Sequence, residues 1–565
     1  MAADPGTSAV EPMSPAFARL LGLVAPQLGQ AEPPAVAILS EDDPAELVSA
    51  VLQLRADARV RTFGTDLDPS DLHVELAVHG PFDVLVEDSK GTGRADRAAA
   101  VFFHVRRDGA LVLRNAGPKP GKFGKRESAE EISDLLTEVV RRSLVPRRGE
   151  HDATAMGRAL HSLTVDNGHV VMVKQGGARA KLREEEVGRF LGGRGPTFGR
   201  VLLERPGHAW QSPAVVNSNP SDTAPQYVST YDAPPLALRE YRQVMCAPGQ
   251  VVWRGNVILP ETYRHNADAR LRSEYVEDVA PRFGRPRATP GDARLEGTWF
   301  HLDSEFRGHF GHAMTEQISR LWAWPEAKRA EPGLKALMFV HPSRPAIEQW
   351  EYDLYGAAGI QPDDLVLVDE PVLVERLLAA TPMFSHPQYV HPDIAEVYRT
   401  IGDRLVAAAP ERRYPPKVFF SRRLDRRSCH NTEEVEAFFA QFGFETVYPE
   451  DYPLSEQARM FRDAEEVAGF GGSGMFTVAF APDPKRIILV SSENYWAQNE
   501  AMMAGVLGHE VHVGWCRPDT PRAPGVKGPA VFHSPFTFDA TREGEFLREV
   551  LGAGAGSRAS GAGPG

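Results

Sequence analysis

Between Lys417 and Val490 short apolar runs alternate with helix-forming stretches, and no other feature constrains the fold of this chain as tightly. Lys417–Phe420, Glu445–Tyr448, Glu466–Gly469 and Arg486–Val490 each have the length and turn-bounded composition of a buried strand. Asn431, three residues ahead of Glu434, predicts a capping box and a helix to about Gln441. Ser455 opens a second helix through Phe461 to Ala464, and Met475–Ala481 predicts a third, stopped by Pro482 and Pro484. Strands separated by helices cannot pair as tight hairpins, so they lie parallel and are joined by crossovers. Such a sheet binds ligands beyond the carboxyl ends of its strands.

Two features fall at those ends. Gly471-Gly472-Ser473-Gly474 follows the third strand, and Met475 begins the helix behind it. Glycines admit close approach of the backbone, and a helix start offers free N–H groups to a phosphate. Ser421-Arg422-Arg423 leaves the first strand, where a guanidinium can grip diphosphate oxygens in bidentate fashion. A tight turn alone would account for the glycines; the adjacent arginines favour an anion site.

The same alternation occurs earlier, with strands at Val36–Leu39, Val60–Phe63, Phe82–Glu87 and Ala110–Leu113 and helices at Pro44–Arg55, Ala95–Val105 and Glu130–Ser143. It predicts a Rossmann-like unit over residues 31–150, behind a helical segment over 1–30. Residues 151–235, rich in Gly, Pro and Asn, predict an irregular connecting region with short strands near Val170–Val173 and Val201–Glu204. From Leu236 the pattern is β-rich, and after Trp299 the strand–helix alternation returns. The expected division is then 236–400, 401–530, a C-terminal helix over 531–551, and a tail over 552–565 too poor in apolar residues to order itself.

Composition removes several classes of function. A net charge of −13 opposes general nucleic-acid binding, although it allows a local basic pocket. No apolar run approaches the ~20 residues of a membrane span. Met1–Thr7 has neither a basic start nor an apolar core, so no secretion signal is expected. Cys246, Cys429 and Cys516 have no metal-ligand spacing, so no metal site is expected, and their scarcity fits a reducing cytoplasm. Heavy use of Ala, Gly, Pro and Arg fits a GC-rich bacterial genome.

A second constellation lies in Phe306–Trp324. Read as a helix from about His309, it places His312, Glu316 and Arg320 at successive i, i+4 positions on one face. Phe310, Met314, Ile318 and Leu321 supply the apolar side. A carboxylate one turn from an imidazole fixes its tautomer and raises its basicity, as a general base for a hydroxyl requires. A surface ladder of alternating charge is the structural alternative; His301, His309, Asp303 and Glu305 close by favour a site.

With these blocks in view, Leu236–Cys516 resembles glycosyltransferase family 61. The resemblance is carried by REYRQV and PGQVVWRGNVILPETYR, by His312, Glu316 and Arg320, by Ser421-Arg422-Arg423, by SEQARMFRDAEEV (Ser455–Val467) and by GFGGSGMFTVAFAP (Gly469–Pro482). It implies a GT-B-type pair of Rossmann-like domains, an acceptor-side one at 236–400 and a donor-side one at 401–530. It also implies inverting transfer of a hexosyl or pentosyl group from a nucleotide-diphosphate sugar, usually a UDP-sugar, with no obligatory metal or cofactor. Polysaccharide synthesis, with a glycan or small-molecule acceptor, would follow. Gly471 stands where the family has His, Thr477 where it has Asn, and Leu489 where it has Glu; Glu493 is a candidate to serve the ribose or base instead.

On this basis His312 is the expected base, oriented by Glu316, or by Asp303 or Glu305, with His309 and Arg320 in support. Arg422, Arg423 and the backbone of Gly471, Gly472, Ser473, Gly474 and Met475 are expected to hold the donor. Two alternatives differ in class. One is a drifted module that binds a glycan or protein without catalysis. The other is a bifunctional enzyme whose first unit methylates, since FDVLVEDSKG and AAAVFFHVRRDGALVLRN resemble an S-adenosylmethionine-dependent methyltransferase fold. Against the latter, Ser40-Glu41-Asp42-Asp43-Pro44 replaces the glycine-rich turn, so that unit reads as a scaffold without its cofactor.

Overall fold

The computed structural model describes residues 15–29, 33–116, 124–145, 152–166, 168–423, 426–522 and 528–559. The start of the expected N-terminal helical segment and residues 560–565 of the expected tail lie outside these. The fold is mixed α/β, built on three large sheets.

The first sheet has six strands in the spatial order Arg59–Phe63, Ala35–Ser40, Phe82–Asp88, Val105–Leu113, His169–Lys174, Leu160–Asp166. The first four are parallel, and the last two add an antiparallel hairpin. Ala35–Leu39 is buried throughout because helices cover both faces, which is why it reads as an unbroken apolar run. Helix Pro69–His79 adds to the expected elements: Asp68 caps it by accepting the Ser70 N–H at 2.8 Å, Pro69 stands in its first turn, and Leu72, His73, Val74, Leu76, Ala77 and Val78 are buried, leaving only a narrow polar edge at Asp71, Glu75 and His79.

The second sheet is mixed and eleven-stranded. Its long strand Leu236–Ala247 pairs antiparallel with Val372–Ala380, beyond which Arg294–His301, Lys335–Phe339 and Leu365–Val368 run parallel. The third sheet is wholly parallel, in the order Val215–Ser218, Glu510–Cys516, Arg486–Ser492, Glu466–Phe470, Lys417–Phe420, Glu445–Val447. Phe420 at the end of Lys417–Phe420 stacks on Phe461, ring centroids 4.0 Å apart and 5° from coplanar. Burying such a ring is worth roughly 2–3 kcal/mol and fixes helix Leu454–Asp463 against the strand.

Three expectations are corrected. Residues 151–235 are not an irregular connector: they give strands to every large sheet, at 160–166 and 169–174, at 179–181 and 199–205, and at 215–218. The strands expected near 170–173 and 201–204 are present; those at 160–166, 179–181 and 215–218 are additional, and the last two are short and lie against strands supplied by other parts of the chain, so local composition does not announce them. Asn431 does not form the capping box. Its side-chain oxygen accepts the Phe538 N–H at 3.0 Å and its amide donates to Glu434 Oε2 and to the Phe538 carbonyl, a tertiary clasp in place of a local cap. The tail from residue 552 begins as helix, since Arg542–Ala559 is continuous and its alanines favour that state. Among the described residues no helix is long and apolar enough to cross a membrane.

Candidate active site

Numbering the strands of the third sheet from Lys417 onward in chain order, the first, Lys417–Phe420, has the second, Glu445–Val447, on one side and the third, Glu466–Phe470, on the other. Chain connections diverge there, and the loops leaving the first and third strands frame a crevice. The loops are Ser421–Arg423, resuming at Arg426, and Gly471–Gly474.

The glycines answer to identifiable neighbours. A Cβ on Gly471 would lie 2.6 Å from Ser491 Oγ, so this chain has no room there for the histidine of the family pattern. Gly472 has φ +142°, a conformation that side chains disfavour, and its added Cβ would lie 3.0 Å from Arg427 Nη2. The Gly472 N–H donates to buried Glu500 Oε1 at 2.7 Å, and the Met475 N–H returns to the Gly472 carbonyl at 2.9 Å. Ser473 and Gly474 are thus the amides at the open start of the turn. The segment Ser473–Phe480 winds as a 3-10 helix where an α-helix was expected.

Arg422 reaches over this turn. Its Nη1 donates to the Gly471 carbonyl at 3.3 Å, its Nη2 to the Arg427 carbonyl, and its guanidinium lies 5.2 Å from the Phe470 ring. Burial and the nearby Arg427 push Arg422 down to about 10. Arg427, which sequence reasoning passed over, holds φ +51° and stacks its guanidinium 4.5 Å from the Tyr495 ring and 4.8 Å from Phe532. Among the described residues neither arginine has a carboxylate within ion-pair distance, and buried Arg427 Nε has no acceptor. Two close, uncompensated cations are a standing attraction for an anion.

His312 lies on the second sheet's side. Phe310–His312 is a single α-turn, Ala313–Gln317 is π-helical and Ile318–Arg320 is 3-10, in place of a continuous α-helix. π-Turns recur at functional sites. His312 Nδ1 and Glu316 Oε1 are 2.7 Å apart. Ser304 Oγ donates to Glu316 Oε2 at 2.8 Å, and Arg264 Nε lies 3.1 Å from Oε1. Burial raises the Glu316 carboxyl, but His312, Arg264 and Ser304 together bring it down to about 2, so it is a carboxylate at neutral pH. A carboxylate only accepts, so Nδ1 carries the proton and Nε2 is left basic. Phe306 stacks on the imidazole at 4.6 Å and His309 meets it edge-on at 4.8 Å, with burial pushing His309 down to about 4.

The two walls face each other across a cavity of about 1370 Å³, lined by His312 and Glu316 on one side and by Arg422, Arg427, Gly472 and Ser473 on the other. A Cβ on Gly311 would lie 3.0 Å from Ser473 Cβ, so the residue before His312 brings its turn against the glycine turn.

Of the expected backbone donors, Gly471 and Met475 do not line the cavity, their N–H groups being taken by the carbonyls of Val490 and Gly472, and four expected side chains lie elsewhere. Asp303 is buried with its oxygens taken by the N–H groups of Phe339 (2.9 Å) and Gln250 (2.6 Å), and burial raises its carboxyl to about 6. Arg320 does not pair with Glu316; it donates to the Asp303 carbonyl at 2.8 Å. Arg423 is exposed and paired with Asp451 at 2.6 Å. Glu493 accepts from Thr223 Oγ1 at 2.6 Å and lies 3.4 Å from Arg542. None of the four lines the cavity. Glu305, the other acid considered for His312, accepts the Glu274 N–H at 2.9 Å. Away from the cavity, His208 meets His391 and Asp393 so that metal-ligand types lie within 4.8 Å of one another, but both His391 nitrogens are already hydrogen-bonded, to the Pro206 carbonyl and the Asp393 N–H.

The family model described as Glycosyltransferase 61 matches residues 310–488, from the turn of His312 to the fourth strand of the third sheet. No curated protein matches the chain. Among solved structures, the MycE methyltransferase from the mycinamycin biosynthetic pathway, in complex with Mg and SAH, aligns in crystal form 1 at 15% identity and TM-score 0.22, over 28% of this chain and 49% of that one. Crystal form 2 aligns at 17% identity and TM-score 0.23, over 28% and 48%. The chain thus spans about half the length of these structures, and scores so low carry no argument. The glycosyltransferase 61 match suggests glycosyltransferase activity.

Proposed function

We propose that the chain is an inverting glycosyltransferase, with a GT-B-like pairing of its second and third sheets around the cavity. The observation that carries this is the opposition of an oriented histidine to two uncompensated arginines. His312 Nε2 takes the proton of an acceptor hydroxyl, and the freed oxygen attacks the anomeric carbon from the face opposite the leaving group. The bond from that carbon to the diphosphate oxygen breaks, and its electron pair leaves as phosphate charge. Arg422, Arg427 and the amides of Ser473 and Gly474 meet that charge as a preorganised set of donors. In this scheme guanidiniums fill the role a metal would otherwise have, and the donor is a nucleotide-diphosphate sugar, with UDP-sugars the first to try.

A hydrolysis screen over nucleotide sugars, run with wild type and His312→Ala, tests it. One donor should be hydrolysed by wild type, with the rate falling on the order of a hundredfold or more in the variant. Equal hydrolysis by the two proteins would remove His312 from the chemistry.

A further inference from the structure

Behind the glycine turn lies a carboxylate that the scheme above does not use. Glu500, on helix Asn499–Leu507, is 3% exposed. Its Oε1 accepts the Gly472 N–H at 2.7 Å, and the Tyr495 hydroxyl donates to it, 3.2 Å from Oε1 and 3.1 Å from Oε2. The Tyr495 ring is the plate on which Arg427 stacks. One carboxylate therefore holds both the backbone of the anion cradle and the support of one of its cations.

The groups facing Glu500 from the packed elements are few. Tyr495 precedes its helix, Tyr227 approaches from the segment crossing residues 219–229, and Arg427 comes from the loop after the first strand. Among the described residues no Lys, Arg or His stands within ion-pair distance of it. Burial is the largest influence and raises the carboxyl to about 7, while the Gly472 N–H, the Tyr495 hydroxyl and Arg427 hold it from rising further.

We propose that Glu500 is a positioning residue which couples donor binding to the uptake of a proton. This rests on the donor reading above. A diphosphate placed over Gly472 against Arg427 brings negative charge next to the buried carboxylate and engages the cation that most offsets it. Both effects favour the neutral acid, so one proton passes from solvent to Glu500 as the anion binds. The neutral acid keeps a carbonyl oxygen for the Gly472 N–H, so the turn persists. The sign follows: protonation is tighter in the complex, so affinity is greatest below the free-site value and declines as pH rises through it.

The test is calorimetry with UDP as probe, in PIPES and Tris, on wild type and Glu500→Gln. Gln retains an acceptor for Gly472 and cannot titrate. Between pH 6 and pH 8 the wild-type Kd should weaken relative to the variant by roughly fivefold, with buffer-dependent heats showing net proton uptake in the wild type alone. The comparison removes the titration of the terminal phosphate of UDP, which is common to both proteins. Should the variant fail to fold, Tyr495→Phe keeps the carboxylate but removes a donor to its charged form, and the loss of affinity should move to higher pH. Identical pH profiles and proton counts in wild type and Glu500→Gln, or an unmoved profile in Tyr495→Phe, would overturn the coupling. Absence of UDP binding to wild type at every pH would instead sink the donor reading itself.

Discussion

The first and third sheets share a plan: Ala35–Ser40 in one and Lys417–Phe420 in the other each have the next strand of the chain on one side and the strand after that on the other. Their crevices differ in charge. At the end of Ala35–Ser40, the Lys90 N–H donates to Glu41 Oε1 at 3.0 Å and its ammonium pairs with Asp42, tying one loop to the other. Arg114 pairs with Asp88, and buried Glu87 is held by Arg94 at 2.7 Å and Arg97 at 3.4 Å. The cations there, Lys90, Arg94, Arg97 and Arg114, all meet carboxylates, while Glu41 and Asp43 accept only backbone N–H groups and add negative charge. At the end of Lys417–Phe420, Arg422 and Arg427 have no ion pair among the described residues: they meet carbonyls, aromatic faces and each other, and buried Glu500 faces Arg427 from behind the turn. Topology supplies a crevice in both places; side-chain charge decides whether it attracts a ligand. We take the first unit as a scaffold and the third as the donor side.

Substitutions can break that contrast, and the largest effect is expected opposite the third sheet. His312→Ala should lower kcat by roughly a hundredfold to ten-thousandfold while leaving UDP affinity unchanged, which steady-state kinetics and calorimetry separate. Arg427→Ala should weaken UDP by roughly tenfold to a hundredfold, the range of charge-assisted hydrogen bonds. An unchanged Kd would leave the anion site without its second cation. Gly472→Ala combines φ +142° with a Cβ pressed on Arg427, and should cost about 1–3 kcal/mol in denaturant unfolding, together with weaker UDP binding. Smallest of all, Arg423→Ala should change UDP affinity by less than about twofold, because an exposed pair with Asp451 contributes little.

Much of this was legible in the sequence where local signals and tertiary structure agree. The strands read at 417–420, 445–448, 466–469 and 486–490 are those observed to within two residues, because short apolar runs between turns and amphipathic helices admit one packing. The His312–Glu316 pair was legible from spacing alone, even though a π-turn forms it. Arg423 was misplaced because adjacent residues on an extended exit point to opposite sides, so Arg422 enters the cavity and its neighbour leaves it. Asp303 was misplaced because a buried acid in a sheet can be consumed by backbone N–H groups, which sequence does not reveal. Arg427 gave no signal. Its importance comes from Tyr495 and Phe532, which only folding brings beside it.

A crystal structure with UDP tests the central contrast most directly. The account expects the diphosphate between the Arg422 and Arg427 guanidiniums and the Ser473–Gly474 amides, facing His312 across the cavity, with the crevice of the first sheet still bridged by Lys90. A diphosphate seated at the first sheet, or one bound away from both arginines, would contradict it.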